Sequence, residues 1–132
     1  MKLSITKETE ITQSIFDNLI ITALEGGSNY WYELNDDEFC MDLPAKAGDY
    51  DTLTEKISKA LFTNPDFQMK VYDKEIPDEV LGTVTQESIM KAFELANLHY
   101  SVCLDNIISD DYDAEDADVM FQLATMGEVV FG

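Results

Sequence analysis

Ile89, Phe93, Ala96, Tyr100, Cys103 and Ile107 follow one another at steps of four, three, four, three and four residues, the spacing that lines one face of an α-helix. The stripe predicts one long helix running from Thr85 to about Ile107. A helix this amphipathic must bury its apolar face on another layer, so the chain needs a core built around it. Ile11, Ile15, Phe16, Leu19, Ile20, Ala23 and Leu24 repeat the pattern and predict a first helix ending near Glu25, with Gly26-Gly27 as a left-handed C-cap. Leu53, Ile57, Ala60 and Leu61 predict another that begins near Thr52 and is broken by Asn64-Pro65-Asp66. A last helix is expected from Asp113 as N-cap, with Glu115 and Asp116 in its first turn, Val119, Leu123 and Met126 as its buried stripe, and Gly127 at its end. Val129-Val130-Phe131 then form an apolar tail.

Period-two patterning is confined to short stretches. Phe67, Met69 and Val71 alternate with Gln68, Lys70 and Tyr72, and Val80 to Val84 is β-prone, so the pair predicts a hairpin. Phe39, Met41 and Leu43 follow the turn signal Asn35-Asp36-Asp37 and predict a third strand closed by Pro44. The expected architecture is an α+β fold, about four helices packed on a small, mostly antiparallel three-stranded sheet, in a single domain over residues 1–132.

Charge limits what such a domain can bind. The chain has 27 acidic residues against 8 lysines, no arginine, and a net charge of −19. Neutralising phosphates needs a basic surface, so direct nucleic-acid binding and docking on anionic membranes are not expected. The lysines stop at Lys91, which leaves the C-terminal third purely anionic. No apolar run approaches the roughly 20 residues of a membrane span, and the N-terminal stretch lacks the apolar core of a secretory signal. Cys40 and Cys103 lie far apart without metal or redox spacing, and are read as two reduced thiols in a cytosolic protein, with a single long-range disulfide as the alternative.

Catalytic and metal chemistry find no set of residues. His99 is the single histidine and lies on the flank of the long helix without a nucleophile motif. A calcium loop begun at Asp111 would carry Asp116 where the turn requires glycine and Gln122 where a bidentate glutamate belongs. Gly26-Gly27 has neither the third glycine of a dinucleotide fingerprint nor the Lys-Ser/Thr of a P-loop. No catalytic residue, metal site or cofactor is therefore expected.

Two features remain as candidate sites. Asn29, Tyr30, Trp31 and Tyr32 form a compact aromatic cluster suited to a ligand or a partner, against which stands a purely structural role for Trp31 in the core. Asp110, Asp111, Asp113, Glu115, Asp116 and Asp118 form a candidate acidic interaction face, able to mimic a phosphate backbone and meet a basic protein surface. Its competitor is a solvated charge run that only keeps the protein soluble.

Ala23-Leu24-Glu25-Gly26-Gly27-Ser28-Asn29-Tyr30-Trp31-Tyr32, together with Asp113 to Asp118, Gln122 and Gly127-Glu128-Val129-Val130-Phe131-Gly132, resembles a family of small acidic proteins encoded by phages and prophages. The stretches 23–32 and 113–132 that hold these boxes span about a quarter of the chain. Ser28 and Tyr32 stand where relatives often carry an aliphatic residue and a cysteine, so neither takes a family role. The resemblance implies a mobile-element protein acting in the cytoplasm of a bacterial host, and no particular activity. The expected function is a non-enzymatic protein that binds a basic surface of a host or defence factor. A small-ligand-binding protein with a pocket around Asn29–Tyr32 is the alternative, a virion or structural component the third reading, and a homo-oligomer is left open.

Overall fold

The computed structural model describes residues 2–4, 8–39, 43 and 52–132. Its element order is β1 (Lys2–Ser4), β2 (Glu8–Glu10), α1 (Gln13–Thr22), a π-helical turn (Ala23–Gly27), β3 (Tyr32–Glu33), a 3-10 turn (Asp36–Glu38), α2 (Leu53–Thr63), β4 (Met69–Asp73), β5 (Val80–Val84), α3 (Gln86–His99), α4 (Ser101–Ser109) and α5 (Ala114–Met126). The fold is α+β, with a three-stranded antiparallel sheet in the order β3-β4-β5 and a separate β1-β2 hairpin.

Local chemistry starts α2, α3 and α5 where the sequence indicated, whereas α1 begins after Ile11, which the expected stripe had included. Thr12, Thr52, Thr85 and Asp113 are the N-caps of α1, α2, α3 and α5, each side-chain oxygen accepting from a backbone N–H of the first turn. Thr85 with Ser88, and Asp113 with Asp116, close reciprocal capping boxes. Gly127, at φ 77°, ends α5 in the left-handed conformation that a side chain would resist.

α5 is the centre of the molecule. Ala117, Met120, Phe121, Leu123 and Ala124 are buried on it, and so are the polar residues Asp116, Asp118, Gln122 and Thr125. It packs against α1, α3, α4, the π-helical turn and β5. The expected one-sided stripe is corrected accordingly: Leu123 is buried, whereas Val119 and Met126 are half-buried. A helix buried nearly all round has neighbours on every side, and its polar groups need partners there. Phe16 of α1 extends the core, with its ring edge-on to Phe62 at 5.1 Å and Phe93 at 6.2 Å.

Three other expectations change. The long helix is two helices, because the backbone at Tyr100 turns to φ −140° and ψ 46°. Leu104 and Ile107 thereby reach the core, and Asn18 of α1 donates to the Ile107 carbonyl at 2.9 Å. Tertiary packing outweighs helical continuity there, with neither glycine nor proline to announce the break. The third strand is Tyr32–Glu33, paired to Asp73 and Tyr72, while Asp36–Glu38 forms a 3-10 turn. The strand expected through Phe39, Met41 and Leu43 lies partly outside the described residues, as does Cys40. Finally, neither Gly26 nor Gly27 has a positive φ, so the pair is not a left-handed cap. The helix instead widens into a π turn closed by Ser28 N–H donating to the Ala23 carbonyl at 2.9 Å.

Candidate functional site

The four aromatic-cluster residues part company in three directions. Trp31 is 3% exposed and stacks on Phe131 at 5.3 Å, with the tilted ring of Phe121 at 5.6 Å. It is a core residue. Tyr30 is half exposed, while Asn29 and Tyr32 line a separate 340 Å³ cavity with Leu24, Glu33, Leu34, Leu53, Thr54, Ile57 and Lys74. A single pocket made by Asn29, Tyr30, Trp31 and Tyr32 together is not formed, because successive side chains leave this turn on different sides.

A buried carboxylate gathers Tyr30 and Trp31 of the cluster together with Ser28 and Gln122 instead. Asp118 Oδ1 accepts from Ser28 Oγ and Trp31 Nε1, both at 2.8 Å. Its Oδ2 accepts from the Tyr30 hydroxyl at 2.5 Å and Gln122 Nε2 at 3.2 Å. Four neutral donors thus satisfy a carboxylate that is 8% exposed, and none of them is a cation. Gln122 carries the connection onward, its Oε1 accepting from the backbone N–H groups of Val130 and Phe131 at 2.8 Å and its Nε2 donating to the Phe131 carbonyl at 3.1 Å. The two sequence boxes, some ninety residues apart, are in this way one assembly. Ser28 and Gln122 complete the site without a sequence signal of their own, since a buried serine and glutamine give no periodic pattern.

Gly27 shows how closely the boxes meet. A Cβ built on it would lie 2.5 Å from the carbonyl oxygen of Ala114, so only glycine lets this turn rest on the start of α5. Beside the contact runs a groove of about 550 Å³, lined by Gly26, Gly27, Tyr30, Ala114, Glu115, Asp118, Val119, Gln122, Val129, Phe131 and Gly132. Every lining residue except Val119 belongs to one of the two boxes.

The candidate acidic face divides between surface and interior. Asp110, Asp111, Asp113 and Glu115 are exposed around the α4–α5 corner. Asp110 holds the left-handed C-cap of α4 at φ 65°, with Asn18 Nδ2 donating to it. Asp116 and Asp118 are not part of that face. Asp116 is 9% exposed and accepts from the Asp113 backbone N–H and Asn106 Nδ2, both at 3.1 Å, because its position on α5 points into the packed side.

Burial first, then the bond to Asp116, pushes the Cys103 thiol up to about 11, which removes the thiolate a nucleophile would need. His99 is exposed on the rim of a separate 380 Å³ cavity with Leu95, Tyr100, Leu123, Gly127, Glu128 and Val129. Among the described residues no group of three or more His, Cys, Asp or Glu could hold a metal ion, and no helix is long and apolar enough to cross a membrane.

The Tyr30 hydroxyl is pushed up to about 12, by burial first and then by the hydrogen bond to Asp118. In the unfolded chain a phenol releases its proton near 10, so between about 10 and 12 the folded state binds more protons. Stability from this group is therefore complete below pH 10 and is lost as pH rises through 12. The expected result in thermal melts from pH 8 to 12, read by circular dichroism, is a steeper alkaline fall for wild type than for Tyr30→Phe, which starts lower at neutral pH. Parallel curves would mean that the bond to Asp118 does not hold the proton.

Compared with protein-family models, with curated proteins and with solved structures, the chain matches none.

Proposed function

We propose that this is a non-enzymatic binding protein of phage or prophage type, acting in the bacterial cytoplasm by presenting an acidic face to a basic surface of a host or defence protein. In this role the carboxylates stand in for nucleic-acid phosphates by their charge. One observation carries the reading: Asp110, Asp111, Asp113 and Glu115 stand exposed together at the α4–α5 corner, in a stretch that carries no lysine after Lys91. The ion pairs Lys70–Glu38 and Lys91–Glu87 involve none of these acids.

The test must remove charge without damaging caps. Asp110→Asn keeps a residue type that accepts the left-handed conformation, and Asp113→Asn keeps a good N-cap, so the triple variant Asp110→Asn, Asp111→Asn, Asp113→Asn retains the geometry. Asp116 is left alone because its carboxylate completes the capping box. Immobilised wild-type protein is expected to capture a basic protein from a bacterial lysate at about 50 mM salt and release it by about 300 mM, since exposed charge pairs are screened over that range. The triple variant, folded by circular dichroism, should capture several-fold less. Capture indifferent to both salt and the three substitutions, or of acidic proteins alone, would overturn the reading.

A further inference from the structure

The groove between the two boxes has a feature that folding does not account for. Gly26 lines it, yet a Cβ built there would meet no atom within 4 Å, and its φ lies outside the left-handed region. Neither backbone conformation nor packing asks for glycine at this position, in contrast to Gly27. With glycine there, residue 26 contributes only backbone to the groove it lines.

The wall facing Gly26 is one stripe of α5. Glu115, Asp118, Val119 and Gln122 lie at i, i+3, i+4 and i+7, the spacing of a single helix face. Val129 and Phe131 of the tail, held by Gln122, add apolar surface. The lining thus combines two carboxylates and a phenol hydroxyl with aliphatic and aromatic walls, and it contains no cationic residue. In a chain of net charge −19 the field in such a groove excludes anions and favours a compact cation on an apolar stem. The Asp118 carboxylate is already met by four donors, so Glu115 is the acid with capacity for a new partner, and the Tyr30 oxygen, which Gln122 Nε2 approaches at only 3.4 Å, is the acceptor beside it.

We propose that this groove binds a primary alkylammonium group, its methylene stem against Val119, Val129 and Phe131 and its ammonium between Glu115 and the Tyr30 hydroxyl. The bearer is a lysine side chain of the basic partner, an assignment that rests on the function proposed above. A free polyamine offers the same chemistry, and the test separates the two.

Purified protein is titrated with Nα-acetyl-lysine amide, with cadaverine and with the uncharged Nα-acetyl-norleucine amide. Binding is followed by the emission of Trp31, the single tryptophan, which stacks on Phe131 in the groove wall, and by backbone amide shifts. The expected result is saturable binding of the lysine amide with shifts centred on Tyr30, Glu115 and Phe131, and at least about tenfold weaker binding of the norleucine amide. Gly26→Leu should fill the groove and weaken the lysine amide at least about tenfold while the melting temperature stays within a few degrees of wild type. Glu115→Gln, which needs no repacking, should weaken it about three- to fivefold and keeps the test decisive should Gly26→Leu fold poorly. Tighter binding of cadaverine than of the lysine amide would overturn the partner-lysine assignment in favour of a polyamine site. Equal binding of the norleucine amide, or linear shifts spread over Asp105 and Asp111 and unchanged in both variants, would overturn the site. The same Gly26→Leu protein in the lysate capture separates the two proposals. Undiminished capture of the basic partner would leave the acidic face standing and remove the groove from the interface. Loss of capture, with Asp110, Asp111 and Asp113 intact, would place a partner lysine in it.

Discussion

Gly82→Ala is expected to be the most damaging glycine-to-alanine substitution among the described residues, leaving the protein unfolded or weakly folded at room temperature. Gly82 sits in β5 opposite Val71 of β4, with the far side of the strand against the end of α5. A Cβ built there would lie 1.8 Å from the Thr125 carbonyl oxygen and 2.8 Å from its carbon. Those are backbone atoms of the central helix, and no rotamer change moves them. Relief requires pushing β5 away from α5, which opens the packing of Met69, Val71 and Val84 behind it. Ordinary overpacking costs about 1–3 kcal/mol, and a backbone clash lies above that range, a large share of the roughly 5–15 kcal/mol that holds a domain together. Urea unfolding checks this, with Gly26→Ala as the control. That second methyl meets nothing and replaces glycine within a helical turn, so it should be neutral or add about 0.5–1 kcal/mol. A Gly82→Ala midpoint equal to wild type would show that strand and helix can separate without loss.

The second large effect is expected from Asp118→Ala, at about 3–5 kcal/mol, a fall in melting temperature of roughly 10–20 °C. Removing the carboxylate strands Ser28 Oγ and Trp31 Nε1 in the interior, each a buried donor whose loss of partner costs about 1–3 kcal/mol. Tyr30, half exposed, can turn to water, and Gln122 keeps its bonds to the tail, so those two contribute less. Asp118→Asn should cost only about 1–2 kcal/mol, because its oxygen still serves Ser28 and Trp31 while the amide faces Gln122 as a second donor. Trp31 emission should shift to the red in Asp118→Ala and little in Asp118→Asn. A loss under about 1 kcal/mol in Asp118→Ala would mean that the tail and the glycine turn are held by apolar packing alone.

Asp118 also shows where reading the residues stops. In the sequence it is one more acid in the run Asp110 to Asp118, and a run of carboxylates is ordinarily a solvated face. Its burial depends on the turn at Ser28 and Trp31 coming to rest on α5, some ninety residues away in the chain. Asp116 is hidden by the same packing, whereas Asp113 beside it was recognisable as an N-cap because capping is a matter of three residues. Trp31 in the core agrees with the structural role weighed for it against a binding role. The four adjacent residues do not share one cavity, because neighbours in a turn diverge: Tyr30 lines the groove, while Asn29 and Tyr32 line a different cavity. Gly82, isolated in a β-prone stretch, was a signal of close backbone approach that the periodicity alone did not use.

What the sequence determined by itself is what short-range physics controls: the α+β class, the hairpin of Met69–Asp73 with Val80–Val84, the helix starts at Thr52 and Thr85, the Asp113 cap, and the Gly127 stop. Each depends on residues within a turn or two of one another, where periodicity and capping are nearly context-free. Only the tertiary structure decided that the helix breaks at Tyr100, that β3 falls at Tyr32–Glu33, that Asp116 and Asp118 are interior, and that the two boxes enclose a groove. These outcomes turn on contacts between distant segments, where burial of a shared core outweighs local preference and a polar group is admitted once its partners arrive from elsewhere in the chain.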